Sequence, residues 1–143
     1  MEFKTLKVKL VNSDSIAPKR AYPGDAGLDI FSDEDTDIYF GQRKTIKSGI
    51  CIQVPVGYYC QVAPKSGLAI KNGIDVLGGI IDSGYNSEIL VILINHSKET
   101  FHIKKGNKIA QLIMKKIALP EIEIVDNLSE TDRGSNGFGS TGK

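Results

Sequence analysis

The sequence predicts an all-β protein, a sandwich or jelly roll with one short helix, and three observations carry that expectation. Roughly eight or more short segments alternate apolar and polar side chains, the period-two pattern of strands with one covered face. Turn residues punctuate them at Tyr22-Pro23-Gly24-Asp25, Pro55-Val56-Gly57 and Lys104-Lys105-Gly106-Asn107. The most apolar stretch, Ile89-Leu90-Val91-Ile92-Leu93-Ile94, is too short for a typical helix and rich in isoleucine, so it reads as a strand buried on both faces. No internal repeat or linker divides the 143 residues, which fit one domain long enough to bury a core.

Eighteen basic residues nearly cancel seventeen acidic ones, so no global field points to a nucleic-acid partner and no stable one is expected. Cys51 and Cys60 lie in apolar, strand-like surroundings without metal-ligand spacing, and reduced, buried thiols are expected. The N-terminus, MEFKTLKVKL, lacks an apolar signal core, and no window approaches a membrane span. An intracellular, soluble, cytoplasmic protein is the expectation, or a nuclear one in a eukaryote.

Taken in order, Leu6, Val8 and Leu10 alternate with Lys7 and Lys9 in a half-buried strand with a solvated basic face. Ala26-Gly27-Leu28-Asp29-Ile30-Phe31 sets one acid among small and apolar neighbours. The acids from Asp33 to Asp37 gather as turn residues do and match no calcium loop. Ile50, Ile52 and Val54, then Tyr58, Cys60 and Val62, alternate on either side of Pro55-Val56-Gly57 and predict a hairpin. Phe101 and Ile103 alternate before the next turn. Ile109, Leu112, Ile113 and Ile117 fit helical spacing, but their segment follows a turn in a strand-rich chain and is assigned to a strand. Ile122 and Ile124, alternating with Glu121 and Glu123 after Pro120, predict a final edge strand.

Three places invite chemistry. Ser66 is placed to cap a short helix starting at Gly67, whose free N–H groups beside Lys65 would make a small anion site; a purely structural cap accounts for it equally. A glycine-bracketed turn carries Asp82 and Tyr85 on the end of a rigid strand, where side chains can be held still, although Asp and Ser also serve turns as such. The tail from Arg133 to Gly142 combines a guanidinium, two hydroxyls at Ser140 and Thr141, unobstructed N–H groups and one ring, Phe138. Such a set suits phosphate and a stacked base, with a disordered terminal linker as the plainer alternative.

Five segments in order, AGLDI at 26–30, PKSGLA at 64–69, GIIDSGYNSEI at 79–89, GNKIAQLI at 106–113 and RGSNGFGSTG at 133–142, resemble the trimeric deoxyuridine triphosphate nucleotidohydrolases (dUTPases). The resemblance runs from Ala21 to Gly142. It implies a β jelly roll (β-clip) at 1–132, assembled as a homotrimer with three shared sites, and a flexible closing arm at 133–143. It implies hydrolysis of dUTP to dUMP and pyrophosphate with Mg2+, which limits uracil in DNA and supplies dUMP for thymidylate synthesis. By position, Asp82 resembles the acid that contacts the 3′-hydroxyl and orients the attacking water, and Tyr85 the aromatic under the sugar. The backbone from Gly79 through Ile80 and Ile81 to Leu90 is similar to the hairpin that reads uracil. Lys65, Ser66, Gly67 and Gln111 resemble the phosphate contacts, and Asp29 the acid that supports Mg2+ through water. Arg133, Phe138, Gly139, Ser140 and Thr141 resemble the arm that caps uracil and grips the γ-phosphate.

The chain departs from the family pattern at Lys65, where arginine is usual; at Asn86-Ser87, where Arg-Gly or a similar pair is usual; at Asn107-Lys108, where Asp-Arg is common; and at Leu77, where glycine is frequent. Losing arginine at 65 replaces a planar fork with a point charge, and losing Asp-Arg at 107–108 removes an expected ion pair. Two other readings compete. A dCTP deaminase would carry a catalytic glutamate on the strand after the Asp-aromatic turn, where Leu90 to Ile94 has no polar side chain. A dUTPase-like binding module without catalysis need not keep Asp82, Tyr85 and the glycine-rich tail.

Overall fold

The computed structural model describes residues 2–142. Ten strands and one helix follow in the order β1 Lys7–Leu10, β2 Leu28–Phe31, β3 Thr36–Ile38, β4 Arg43–Gln53, β5 Tyr58–Ala63, α1 Ser66–Asn72, β6 Ile74–Leu77, β7 Ile80–Ile81, β8 Glu88–Asn95, β9 Phe101–Ile103 and β10 Lys108–Lys116. One sheet runs β1-β4-β8-β6, a second β2-β10-β5-β7, and β3 pairs with β9 in a small third. Each pairing between these strands is antiparallel. Ile46, Ile50, Val91 and Leu93 from the first sheet and Ile30, Cys60, Val62 and Leu112 from the second join one buried cluster. The two sheets thus face each other across a common core, as a sandwich or jelly roll requires. Each fully covered aliphatic side chain contributes about 1.5–3 kcal/mol.

Asn95 is the one fully buried amide among the described residues, and the fold uses all of it. Its Nδ2 donates to the carbonyls of Ile38 and Glu99, both at 2.8 Å, and its Oδ1 accepts from Ser97 N–H at 2.8 Å. That satisfaction permits a polar group in the core and ties β8 to the start of the third sheet. Truncating it would orphan partners at about 1–3 kcal/mol each.

Four expectations are corrected. The predicted hairpin from Ile50 to Val62 is absent: β4 pairs with β1 and β8, whereas β5 pairs with β10 and β7. Pro55-Val56-Gly57, closed by Tyr58 N–H on Pro55 O at 3.2 Å with Gly57 at φ +89°, carries the chain from one sheet to the other. The strand at Ile89–Ile94 is covered on one face only; Ile89, Val91 and Leu93 are buried, but Leu90 is 45% exposed and Ile92 and Ile94 lie between. The N-terminal strand exists, but as an edge exposed at every residue rather than half-buried. Ile122 and Ile124 form no strand and stand 93% and 95% exposed, paired with no sheet edge of the single chain. The ambiguous segment after Gly106 is the strand β10, as expected. Cys60 is buried and Cys51 half-buried, both free; burial pushes the Cys60 thiol up to about 12. No helix among the described residues is long and apolar enough to cross a membrane.

Candidate active site

The residues singled out from the sequence fall into three groups within one chain. The first lies at one end of the second sheet. Asp29 on β2, Gln111 on β10 and Ala63 on β5 stand side by side, since Gln111 pairs with both of the others. Pro64, lacking an N–H, ends β5, and Lys65 and Ser66 follow. Gln111 Nε2 donates to Pro64 O at 2.9 Å. Gly27 leaves room for this arrangement, because a Cβ there would collide with the Gln111 amide as it stands.

Lys65 is the N-cap of α1 and Ser66 its first residue, with no side-chain cap at that end. The expected capping role of Ser66 is therefore corrected. One residue too far into the helix, its hydroxyl caps nothing and stays exposed beside Lys65. Gly73, at φ +63°, closes the other end.

Asp29 is the electrostatic centre of this group. Lys65 Nζ pairs with its Oδ1, and Lys108 Nζ lies 3.3 Å from its Oδ2. Burial raises the Asp29 carboxyl, but the two lysines more than reverse this and hold it below the usual carboxylate value. Lys108 thus makes an ion pair of its own with Asp29, a partner that sequence reasoning did not find. Cross-strand register brings it there, with Lys108 beginning the strand that lies beside β2.

No cluster of three or more His, Cys, Asp or Glu side chains able to hold a metal exists among the described residues. One carboxylate already facing two lysines cannot cage a cation. It does fit a hydrated Mg2+ carried in by a substrate's phosphates, since that ion keeps its waters and needs few carboxylates.

The second group lies around the Asp82 turn. Gly79, at φ +93°, accepts Val62 N–H at 2.7 Å, and a Cβ on it would sit 2.5 Å from Val62 O. This close approach starts β7, whose Ile80 and Ile81 pair with Gln61 and Cys60. The chain then turns through Asp82 to Tyr85, closed by Tyr85 N–H on Asp82 O at 3.2 Å, with Gly84 at φ +87°. Asp82 is exposed, and Tyr85 donates its hydroxyl to Glu88 O at 2.9 Å. Because β7 belongs to the second sheet and β8 to the first, the turn bridges the two sheets instead of closing a ladder hairpin. Ile80 and Leu90 present apolar surface near it.

The third group, Arg133 to Thr141, is exposed throughout and held only by local turns, such as Ser140 N–H on Gly137 O at 3.2 Å. The final residue of the 133–143 arm lies outside the described residues, as does Met1 of the 1–132 domain.

These groups do not meet in one chain. About 10 Å of β5, at ~3.3 Å per residue, separates the level of Ile81 from that of Ala63, and Asp82 and Lys65 continue beyond opposite ends. A cleft of about 460 Å3 reaches Ser83 and Gly84 but is otherwise lined by the N-terminal segment and residues 53–56, without Asp82.

Exposed carboxylate, hydroxyl, ammonium and guanidinium groups on a stiff β scaffold suit the class of hydrolases that turn water against phosphate. A dUTPase family model matches residues 13–142. The chain is 50% identical to the deoxyuridine 5′-triphosphate nucleotidohydrolase of Clostridium tetani over 141 residues, 97% of each chain. It is 45% identical to the Mus musculus protein of the same name over 139 residues, covering 97% of this chain and 86% of that one. A mutant dUTPase of Staphylococcus bacteriophage 80alpha, solved with dUpNHpp, superimposes with a TM-score of 0.92 at 28% identity, over 99% of this chain and 100% of that one. A mutant dUTPase of phage phi11 of S. aureus, solved with a coordinated structural Mg(II) ion, gives 0.84 at 25% identity, over 89% of this chain and 100% of that one. The chain belongs to the dUTPase family.

Proposed function

We infer that this chain is a dUTP diphosphatase, hydrolysing dUTP to dUMP and pyrophosphate by attack of water on the α-phosphorus. The observation that carries the site assignment is the separation of Asp82 from Lys65, Ser66 and Gln111 along β5. A site using all of them is built between copies of the chain, so we assign a homotrimer with shared sites. The exposed Leu90, Ile122 and Ile124, unmatched within one chain, suit burial between copies.

Asp82 draws the proton from a water held in line with the α-phosphorus, since water is a poor nucleophile without a carboxylate in hydrogen-bond reach. The backbone at Gly79, Ile80 and Ile81 meets the polar edge of uracil, and a hairpin of this kind discriminates against thymine by excluding its 5-methyl group. Tyr85 lies under the sugar. Lys65, Ser66, Gly67 and Gln111 take the phosphates, and Asp29 is the residue that would support Mg2+, through water. When bound, that cation neutralises charge that builds on the phosphate oxygens. The arm, through Arg133, Phe138, Gly139, Ser140 and Thr141, closes over substrate, excludes bulk water and reopens for release.

Pyrophosphate release from dUTP with Mg2+ tests the activity. Mixing tests the sharing. Asp82→Asn and Gln111→Ala proteins, each inactive, regain turnover when their subunits are exchanged if the residues act from different chains, and stay inactive if each site uses one chain. Deamination of dCTP is not favoured, because Glu88, the only carboxylate on β8, is engaged by Gly49 N–H at 2.9 Å.

A further inference from the structure

Glu88 lies at the first residue of β8, outside the groups that meet substrate, yet its surroundings are unusually well fixed. The β4–β8 ladder is interrupted between Lys47 and Cys51, and Glu88 is the residue that resumes it opposite Cys51. Within the interruption Gly49 adopts φ +70°, and its N–H is taken by Glu88 Oε1 at 2.9 Å. The neighbouring Ser48 hydroxyl donates to Ile89 O at 2.5 Å, so two consecutive residues of β8 are pinned where backbone pairing fails.

Gly49 is itself immobilised from the far side. A Cβ on it would lie 2.5 Å from Ser15 Oγ and 2.7 Å from Asp33 Cγ. Its carbonyl takes Val11 N–H at 2.8 Å. The anchor for Glu88 is thus a closed junction of three segments. On the other side of Glu88, its own carbonyl accepts the Tyr85 hydroxyl at 2.9 Å. The phenol of a half-exposed turn residue is therefore referenced to the sandwich through one residue.

We propose that Glu88 is a positioning residue for sugar selectivity: by bonding Gly49 N–H it fixes the height of the Tyr85 ring, and so the exclusion of a ribose 2′-hydroxyl. The proposal rests on the reading of Tyr85 as the ring beneath the sugar. A charge-assisted bond to a backbone N–H is short and strong, so its loss removes the fixed reference for the turn. Discrimination against a single added hydroxyl depends on such small displacements, because an accommodating pocket rejects it poorly.

The test measures inhibition constants of the α,β-imido analogues of dUTP and UTP on the full-length assembled protein, and takes their ratio. Glu88→Ala is expected to lower the preference for the deoxy analogue by about tenfold or more, the size of one charge-assisted hydrogen bond. Glu88→Gln keeps an acceptor of the same reach and is expected to restore the ratio. Glu88→Asp, one methylene short of Gly49, should behave like Glu88→Ala and covers the case in which the alanine variant does not fold. Tyr85→Phe should also lower the ratio, since it keeps the ring but cuts its tether. An unchanged ratio in Glu88→Ala or Glu88→Asp, with Tyr85→Ala abolishing the preference, overturns the proposal and leaves the reading of Tyr85 intact. An unchanged ratio in Tyr85→Ala overturns that reading and the proposal with it. Equal weakening of both analogues by Glu88→Ala would mark a merely structural role and also overturn it.

Discussion

Lys65 and Asp29, one assigned to the phosphates and the other to the hydrated cation, are bound to each other in the free chain. Each neutralises the other while Lys108 holds the second carboxylate oxygen at 3.3 Å. On the function proposed above, substrate with its cation would give each another partner: phosphate oxygens for the ammonium, coordinated water for the carboxylate. Because lysine carries a compact charge on a flexible stem, this exchange needs only side-chain rotation.

The same pair gives Asp29 a signature in acid. Burial opposes ionisation, but the lysines outweigh it and lower the folded carboxyl below its unfolded value near ~3.9. The stabilisation is then complete above the unfolded value and is lost as pH falls through the folded one. Asp29→Asn is expected to melt below wild type at neutral pH, with the gap narrowing under about pH 4. Melting curves across that range check this, and a gap independent of pH would contradict it.

Asp82→Asn is expected to cut turnover by about a hundred- to ten-thousand-fold, the usual range for a positioned general base. Binding of dUpNHpp should remain measurable, because the amide keeps the shape of the turn. Calorimetry with the analogue beside a pyrophosphate assay separates the two. Unchanged turnover would place the base elsewhere.

Two glycines should respond differently to alanine. At Gly79 the new Cβ meets backbone, Val62 O at 2.5 Å, and φ is +93°, so Gly79→Ala should destabilise by at least about 1–3 kcal/mol in denaturant unfolding. At Gly27 the obstacle is the Gln111 side chain, which can swing away from Pro64. Gly27→Ala should therefore leave the unfolding midpoint closer to wild type and raise KM for dUTP.

Among the described residues, 133–142 make no hydrogen bond to the sheets, only turns within their own stretch and one to Thr131. Removing everything after Asp132 should spare the melting temperature and the trimer while crippling turnover. Sedimentation, melting and pyrophosphate release on the truncated protein decide it; unfolding would make the arm structural.

Much of the proposed site could be put forward from the sequence because its residues sit in short contiguous motifs. AGLDI holds both Asp29 and the glycine that clears Gln111, and the Asp82 turn announces itself by its glycines. Lys108 and Glu88 were not legible in their roles. One depends on β10 lying beside β2, the other on an interruption of the β4–β8 ladder. The capping expectation for Ser66 failed by a single residue, within the ordinary uncertainty of helix ends.

By itself the sequence determined where most strands lie and where the chain turns, though not β3 or β6, because alternation and turn residues act over a few neighbouring positions. Tertiary structure alone decided which sheet each strand joins. Ile50–Val54 and Tyr58–Val62 look like a hairpin locally, yet they separate across Pro55-Val56-Gly57: the first segment pairs with β1 and, through Cys51, with β8, and the second with β10 and β7. Ile122 and Ile124 alternate like a strand but find no edge in one chain. Side-chain period records only which way a residue faces; the partner that satisfies its backbone is set by contacts far along the chain.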